Sequence, residues 1–253
     1  MHHFVDCGEQ EAAINQAADI LRRADRLVVL TGAGVSAESG VPTFRGSNGL
    51  WEGHHIEEVA TPEAFQRDPK LVWRFYNMRR AALAGIQPNP AHRALVELER
   101  RWGPARFTLV TQNIDGLHQA AGSQRVLELH GRLSRVRCTA CRYIADRPGE
   151  SLPELPRCPE CDELIRPDVV WFHEMLPQDI WLQAAERTTS CSCFLVVGTS
   201  AVVYPAAGLI RMARDVGAAL LEFNIERTAA SRSVDVGLYG PAGWLLPEVV
   251  RHL

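Results

Sequence analysis

Arg26-Leu27-Val28-Val29-Leu30-Thr31-Gly32-Ala33-Gly34-Val35-Ser36-Ala37 decides the fold. Its first half is a short unbroken apolar run, the mark of a strand buried on both faces. Its second half reads Gly-x-Gly-x-x-Ala. Glycines at these places permit a tight turn and a close backbone approach to a pyrophosphate. They also open a helix whose amides favour an anion. Outward from this stretch the alternation recurs. Strands are expected at residues 107–111, 125–129, 169–172, 194–198 and 219–224, and helices at 9–25, 91–102, 177–187 and 206–216. Short apolar strands alternating with helices predict an α/β protein with a doubly wound, parallel, Rossmann-like sheet. One departure matters. A dehydrogenase would continue with a helix, a second strand and an acid about 20 residues on. Here Ser39-Gly40-Val41-Pro42-Thr43-Phe44-Arg45-Gly46 reads as a loop, so phosphate binding is expected and hydride transfer is not.

Two segments interrupt the pattern. Residues 41–90 hold no strong strand and read as a loop followed by helices. Residues 137–167 carry five prolines and two cysteine pairs, Cys138/Cys141 and Cys158/Cys161, with sixteen residues between the pairs. Each pair can bite one metal ion from a tight turn, and together they complete a tetrahedral S4 shell. Four thiolates leave no open position, so the zinc expected there is structural. The predicted organisation is a large nucleotide-binding domain of residues 1–40, 91–136 and 168–253, with a smaller domain built from a helical module (41–90) and a zinc-ribbon module (137–167). Chain crossings between the two would line a cleft.

Bulk properties narrow the class. The chain has 253 residues, 46% of them hydrophobic, and a net charge of −3, which predicts no general nucleic-acid partner. No apolar run is long enough to span a bilayer, and Met1-His2-His3-Phe4 does not resemble a signal peptide. Seven cysteines are an odd number, and their spacing points to metal rather than disulfides. A reducing, cytoplasmic setting is therefore expected. The leftover Cys191 and Cys193 flank a buried-looking strand and read as packing.

Ligands of open parallel sheets sit beyond the carboxyl ends of the strands. Thr111-Gln112-Asn113-Ile114-Asp115-Gly116-Leu117-His118, Leu129-His130-Gly131, Gly198-Thr199-Ser200 and Phe223-Asn224-Ile225-Glu226 all close strands with small or polar groups. The blander reading of the first is a helix cap. A histidine at a strand end, followed by glycine at the mouth of a cleft, is a general-base candidate.

Together, residues 32–46, 111–118, 129–131, the cysteine quartet, Arg166–Phe172, 198–200 and 224–226 resemble the sirtuins, in that family's order and over nearly the whole chain. The resemblance implies a lysine deacylase that consumes NAD: nicotinamide leaves, and the acyl group moves to ADP-ribose. It makes His130 the base that deprotonates a ribose hydroxyl. It places Asn113 and Asp115, with Ile114, at the nicotinamide pocket and Gln112 on a ribose. Gly32, Ala33, Gly34, Ser36, Ala37 and Glu38 become the phosphate loop. Thr43, Phe44, Arg45 and Trp51 join the cofactor side, with Phe44 shielding the reactive ribose face. Gly198, Thr199 and Ser200 touch phosphate or ribose, and Asn224, Ile225, Glu226 and Ala242 complete the adenosine end. Val169, Val170, Trp171 and Phe172 match the strand that pairs with a substrate peptide by β-augmentation. His173 stands where the pattern has glycine.

A narrower resemblance, in residues 59–62 and 73–80, is to the class III branch, which accepts succinyl and malonyl groups. Tyr76 and Arg79 are three apart and share a helix face. Arginine offers a planar fork to a carboxylate, tyrosine adds a hydroxyl, and Ala60 leaves room for a longer chain. For Tyr-x-x-Arg alone, a solvated helix face is the simpler account. Two other functions fit parts of the sequence: NAD-dependent ADP-ribosyl transfer to a protein, and a zinc-ribbon binding module. The glycine loop, His130 and the acidic balance argue against the second.

Overall fold

The structure, a computed structural model, describes residues 7–43, 50–51, 54–149 and 152–253. In chain order, α1 (Cys7–Arg23) leads into β1 (Leu27–Thr31) and a 3-10 segment at Ala33–Ser39. A two-residue hairpin follows, β2 (Leu50–Trp51) with β3 (His54–His55), and then α2 (Ile56–Val59), α3 (Pro62–Arg67) and α4 (Pro69–Leu83). Next come α5 (Pro90–Trp102), β4 (Phe107–Thr111), α6 (Leu117–Ala121) and β5 (Val126–Glu128). The strands β6 (Gly131–Cys138), β7 (Ile144–Asp146) and β8 (Ile165–Val169) enclose the cysteines. The chain closes with α7 (Gln178–Thr189), β9 (Cys193–Val197), α8 (Gly208–Asp215), β10 (Ala219–Asn224), β11 (Val236–Tyr239) and α9 (Ala242–Arg251). No helix among the described residues is long and apolar enough to cross a membrane.

The main sheet has six strands in the order β11-β10-β9-β1-β4-β5, and every pairing is parallel. From β1 the chain winds outward through β4 and β5, then returns to β1's other side and winds outward again. This is the doubly wound order, with its reversal between β1 and β9. Leu27 to Thr31 pair in register with Phe107 to Thr111 on one side and with Cys193 to Val197 on the other. All five residues of both β1 and β9 are buried, as strands covered on two faces must be. Alternate residues feed two cores. Leu27, Val29, Leu109, Leu195 and Leu221 pack with Leu21, Leu95 and Leu245 of α1, α5 and α9. Val28, Leu30, Phe194 and Val196 pack with Ala184 of α7 and Leu209 and Ala213 of α8.

A third core joins the two excursions. Val59, Ala60, Phe65, Val72, Trp73 and Tyr76 from the helices pack with Leu133, Val136, Cys138, Ile165 and Trp171 from the cysteine segment. The Trp73 indole donates to the Ile165 carbonyl at 2.9 Å across that seam. The helices start where the sequence says they should. Thr61, Asp68 and Asn89 each accept a backbone N–H from the first turn, and a proline follows each of them.

The structure differs from the sequence pattern in two places. The strand read at 169–172 lies earlier, at Ile165–Val169, because its pairing with β6 runs Cys138 to Ile165 and Arg137 to Arg166. Beyond Val169, Val170, Trp171 and Phe172 are held instead by separate anchors described below. The eight-residue β6 was not read from the sequence at all; the boundary expected at 136/137 falls inside it.

Candidate active site

The carboxyl ends of β1 and β9 meet where the strand order reverses, and the two turns there touch through their backbones. The Gly32 amide donates to the Val197 carbonyl at 3.0 Å, and the Gly34 amide to the Gly198 carbonyl at 2.7 Å. A Cβ on Gly34 would lie 2.7 Å from that carbonyl oxygen, and one on Gly198, at φ +58°, 2.3 Å from the Val35 nitrogen. The glycines are therefore a requirement of packing one turn on the other.

Side chains from four strand ends converge on this point. Gln112 Nε2 donates to Thr199 Oγ1 at 2.9 Å and so bridges the crevice. Asn113 Nδ2 donates to the Gly32 carbonyl at 3.1 Å and to Ser36 Oγ at 3.2 Å. The Ser36 hydroxyl in turn donates to Asp115 Oδ2 at 2.8 Å, and the Leu117 amide donates to Oδ1 at 2.9 Å. Burial pushes the Asp115 carboxyl above its ordinary range, against these two bonds. Asn224 Nδ2 donates to the Thr199 carbonyl at 2.8 Å. Ala33, Thr43 and Ile114 are half-buried, while Ala37, Ser200, Ile225 and Glu226 are exposed around the same mouth. Glu38 is engaged elsewhere: its carboxylate accepts the Gly243 amide at 2.7 Å, capping α9 beside Ala242. Phe44 and Arg45 lie outside the described residues, and Trp51 is described only as the backbone partner of His54.

His130 lies two residues past β5, just before β6. Its Nδ1 lies 2.9 Å from the Gln112 carbonyl, which can only accept, so Nδ1 carries the proton and Nε2 keeps its lone pair. Burial holds the imidazole below the usual histidine value, outweighing that hydrogen bond. Gly131 must be glycine: at φ +77°, a Cβ would sit 2.1 Å from the Asp168 carbonyl oxygen. The close approach ties His130 to the segment after β8, where the Val170 amide donates to the His130 carbonyl at 2.9 Å.

That segment is pinned at each residue. The Trp171 amide donates to Glu174 Oε2 at 2.8 Å and the Phe172 amide to the Ala60 carbonyl at 3.0 Å. Glu174 also takes both Arg166 N–H groups, at 2.6 and 2.9 Å, while the guanidinium stacks 3.3 Å over the Trp171 ring. On the far side the Trp171 indole donates to the Tyr76 hydroxyl at 2.9 Å. Ala60, Tyr76 and Trp171 are all buried and form one wall. Burial raises the Tyr76 phenol well above its ordinary value. Arg79, half-buried, is close enough for its charge to act on both Tyr76 and Asp115. His173 has φ +69°, the left-handed conformation that glycine adopts freely, and its Nδ1 lies 3.6 Å from a Glu63 carboxylate oxygen.

The ligand atoms of Cys138, Cys141, Cys158 and Cys161 all lie within 4.8 Å of one another. Zn–S bonds of about 2.3 Å imply tetrahedral S–S edges of about 3.8 Å, so the four sulfurs fit a zinc ion with small adjustment. The amides of Ala140 and Cys141 point at Cys138 Sγ at 3.3 and 3.4 Å, and the Tyr143 amide at Cys141 Sγ at 3.5 Å, as thiolate ligands require.

A further polar cluster carries no motif in the sequence. Glu222 is fully buried in the middle of β10 and accepts hydroxyls from Thr228, Ser231 (2.5 Å) and Tyr239 (3.1 Å). It fixes the loop after Asn224. A lone acid inside Ala-Leu-Leu-Glu-Phe-Asn was its visible signal.

Known proteins share this arrangement. Residues 32–205 match the model of the Sir2 family. The NAD-dependent protein deacylase 2 of Pyrobaculum aerophilum is 51% identical over 238 residues, covering 93% of this chain and 94% of its own length. The crystal structure of a Sir2 homologue in complex with NAD superimposes with a TM-score of 0.86 at 44% identity, covering 94% of this chain and 92% of the other. Sir2Af2 bound to a myristoylated histone peptide has a TM-score of 0.76 at 40% identity, with 96% of each chain covered. A doubly wound sheet with its glycine turn, a four-cysteine module and likeness at this level over almost the whole length place the chain in the Sir2 family.

Proposed function

We propose that this chain is an NAD-dependent protein-lysine deacylase, which moves the acyl group to ADP-ribose and releases nicotinamide. The observation that carries the reading is the site at the sheet's reversal: His130, with Nε2 unprotonated, shares one mouth with Gln112, Asn113, Ser36 and Asp115. NAD, when bound, supplies the leaving group and the accepting ribose. The chain's residues do the rest. His130 Nε2 accepts the ribose hydroxyl proton, and the Gln112 carbonyl holds its Nδ1–H in place throughout. Asn113 and Asp115 line the nicotinamide pocket. The Gly32–Gly34 turn brings its backbone against the pyrophosphate, and Asn224, set by Thr199, faces the adenosine end. The cysteine module holds zinc away from this chemistry, as a structural ion.

The acyl-lysine enters between the large sheet and the third core, along Val169–Phe172. Amides of Val170, Trp171 and Phe172 are already bonded within the chain, so a pairing peptide would meet carbonyl oxygens on this segment. Tyr76 and Arg79 favour an acyl group ending in a carboxylate, succinyl or malonyl, with acetyl also accepted. The names of the relatives support deacylation over ADP-ribosyl transfer. Residues 41–90 and 137–167 acting as one smaller domain, and a reducing cytoplasmic setting for the thiolates, complete the reading. Mass spectrometry of one peptide bearing acetyl-, malonyl- or succinyl-lysine, incubated with enzyme and NAD, tests it. One nicotinamide and one acyl-ADP-ribose should appear per lysine freed; deacylation without NAD would overturn it.

A further inference from the structure

Two buried imidazoles lie under the turn that carries Asn113 and Asp115. His92, from the first turn of α5, and His118, from α6, are 0% and 1% exposed, and their rings are 4.9 Å apart. Neither figures in the reaction as derived above, yet both end hydrogen-bond chains that lead to it.

Counting protons sets the direction of the chain through His92. The Ser36 hydroxyl gives its only proton to the Asp115 carboxylate. The groups that remain against Ser36 Oγ must therefore donate to it: Asn113 Nδ2 at 3.2 Å and His92 Nε2 at 3.4 Å. His92 Nδ1 then accepts, and the Asn89 amide stands 3.3 Å away to donate. In the second chain, Thr111 Oγ1 accepts the Asn113 amide at 3.0 Å and the Thr31 hydroxyl at 2.8 Å. With the Thr31 proton on Thr111, His118 Nε2, 2.9 Å away, is the donor to Thr31. His118 Nδ1 meets no hydrogen-bond partner among the described residues, which costs a bare lone pair less than it would an N–H. Both rings are thus neutral Nε2–H tautomers. Burial keeps them so, lowering His92 to about 4 and His118 to about 3.

We propose that His92 and His118 are positioning residues for the nicotinamide end of the site: as fixed neutral donors they hold Ser36 and Thr31, and through these aim the Asn113 amide and the Asp115 carboxylate. This rests on Asn113 and Asp115 forming the nicotinamide pocket of a deacylase. The rings touch neither substrate nor the reacting atoms. Flipping the His92 tautomer would turn its N–H towards the Asn89 N–H, and flipping that of His118 would bury an N–H with no acceptor among the described residues.

The test uses His92→Phe and His118→Phe, which keep a ring and delete the donor, with His92→Gln and His118→Gln, which restore an N–H near the same place. Half-inhibition by nicotinamide is compared with the dissociation constant of ADP-ribose, which lacks the nicotinamide. Each Phe variant should raise the inhibitory nicotinamide concentration about five- to tenfold, the size of one hydrogen bond. ADP-ribose binding should move less than about twofold, and the Gln variants should recover most of the loss. Equal shifts for both ligands, no shift, or no recovery with Gln would overturn the proposal. If the Phe variants do not fold, the imidazole 15N shifts of the wild type decide. Nε2-protonated rings unchanged from pH 5 to 9 support it; an Nδ1–H tautomer, or titration within that span, overturns it. A wild type that releases no nicotinamide from NAD overturns the deacylase reading and this proposal together; one that does, with either contrary result, overturns this proposal alone.

Discussion

Tyr76→Phe removes one oxygen and tests both the structure and the substrate reading. The Tyr76 hydroxyl accepts the Trp171 indole N–H at 2.9 Å, and the two residues are 1% and 3% exposed. No water can replace the lost acceptor, so a buried donor is left unmade, at a cost of about 1–3 kcal/mol. For a chain of this size that lowers the melting temperature by roughly 2–12 °C. A double-mutant cycle with Trp171→Phe should return a coupling of similar size, since removing both partners relieves the unmet donor. The catalytic effect is separate. Because the indole only donates, the hydroxyl proton remains for an acyl carboxylate. A hydrogen bond to a charged group is worth roughly 1.5–3 kcal/mol, so desuccinylation should fall about ten- to a hundredfold in kcat/KM. Deacetylation, with no charge to read, should hold. Urea unfolding and steady-state kinetics on succinyl and acetyl versions of one peptide measure the two effects. Unchanged stability together with zero coupling would refute the buried bond; equal losses on both peptides would refute the carboxylate role.

Arg79→Met should likewise cut desuccinylation about tenfold or more and spare deacetylation, read by the same pair of peptides. His130→Asn should keep NAD binding while lowering deacylation by a factor of about 10²–10⁴, as for a lost general base. In the wild type, kcat/KM should rise with pH to an alkaline plateau, its apparent pKa below the ordinary 6.5 because burial favours the neutral ring. Cys138→Ser should lose zinc by metal analysis and lower the melting temperature, since binding and folding are coupled. Stability should also fall in acid: His92 and His118 bind protons from about pH 6.5 downward when unfolded, but only near 4 and 3 when folded. Between those limits the unfolded state holds more protons, so urea midpoints should drop with falling pH.

The sheet was legible because β1, β4, β9 and β10 are short apolar runs ended by glycine or polar groups. The strand read at 107–111 and the one at 219–224 match the structure residue for residue. The segment at β6 was not legible. Gly-Arg-Leu-Ser-Arg-Val-Arg-Cys alternates imperfectly, and its register with β8 shifts between Gly131 and Val136. Its pairing comes from the fold, not from local pattern. The same holds for Val170–Phe172, whose extended look reflects anchors at His130, Glu174 and Ala60, all distant or irregular partners. Of the site, the strand-end motifs announced themselves by position. The roles of His92, Glu174 and Glu222 did not, because a buried polar residue declares its purpose only when its partners are seen.

The contact between the Gly32–Gly34 turn and Gly198 bears on how such a protein could change over time. Where the two turns meet, main chain is laid on main chain, with no room to add a side chain. Drift there can only damage. If the proposed substrate role holds, new preferences arise on the opposite wall, where Ala60, Tyr76, Arg79 and His173 are side chains that selection can swap one at a time. On the function proposed, reaction and preference are thereby separable: the backbone floor beneath the transfer is frozen by geometry, and the wall that chooses the acyl group is free to wander.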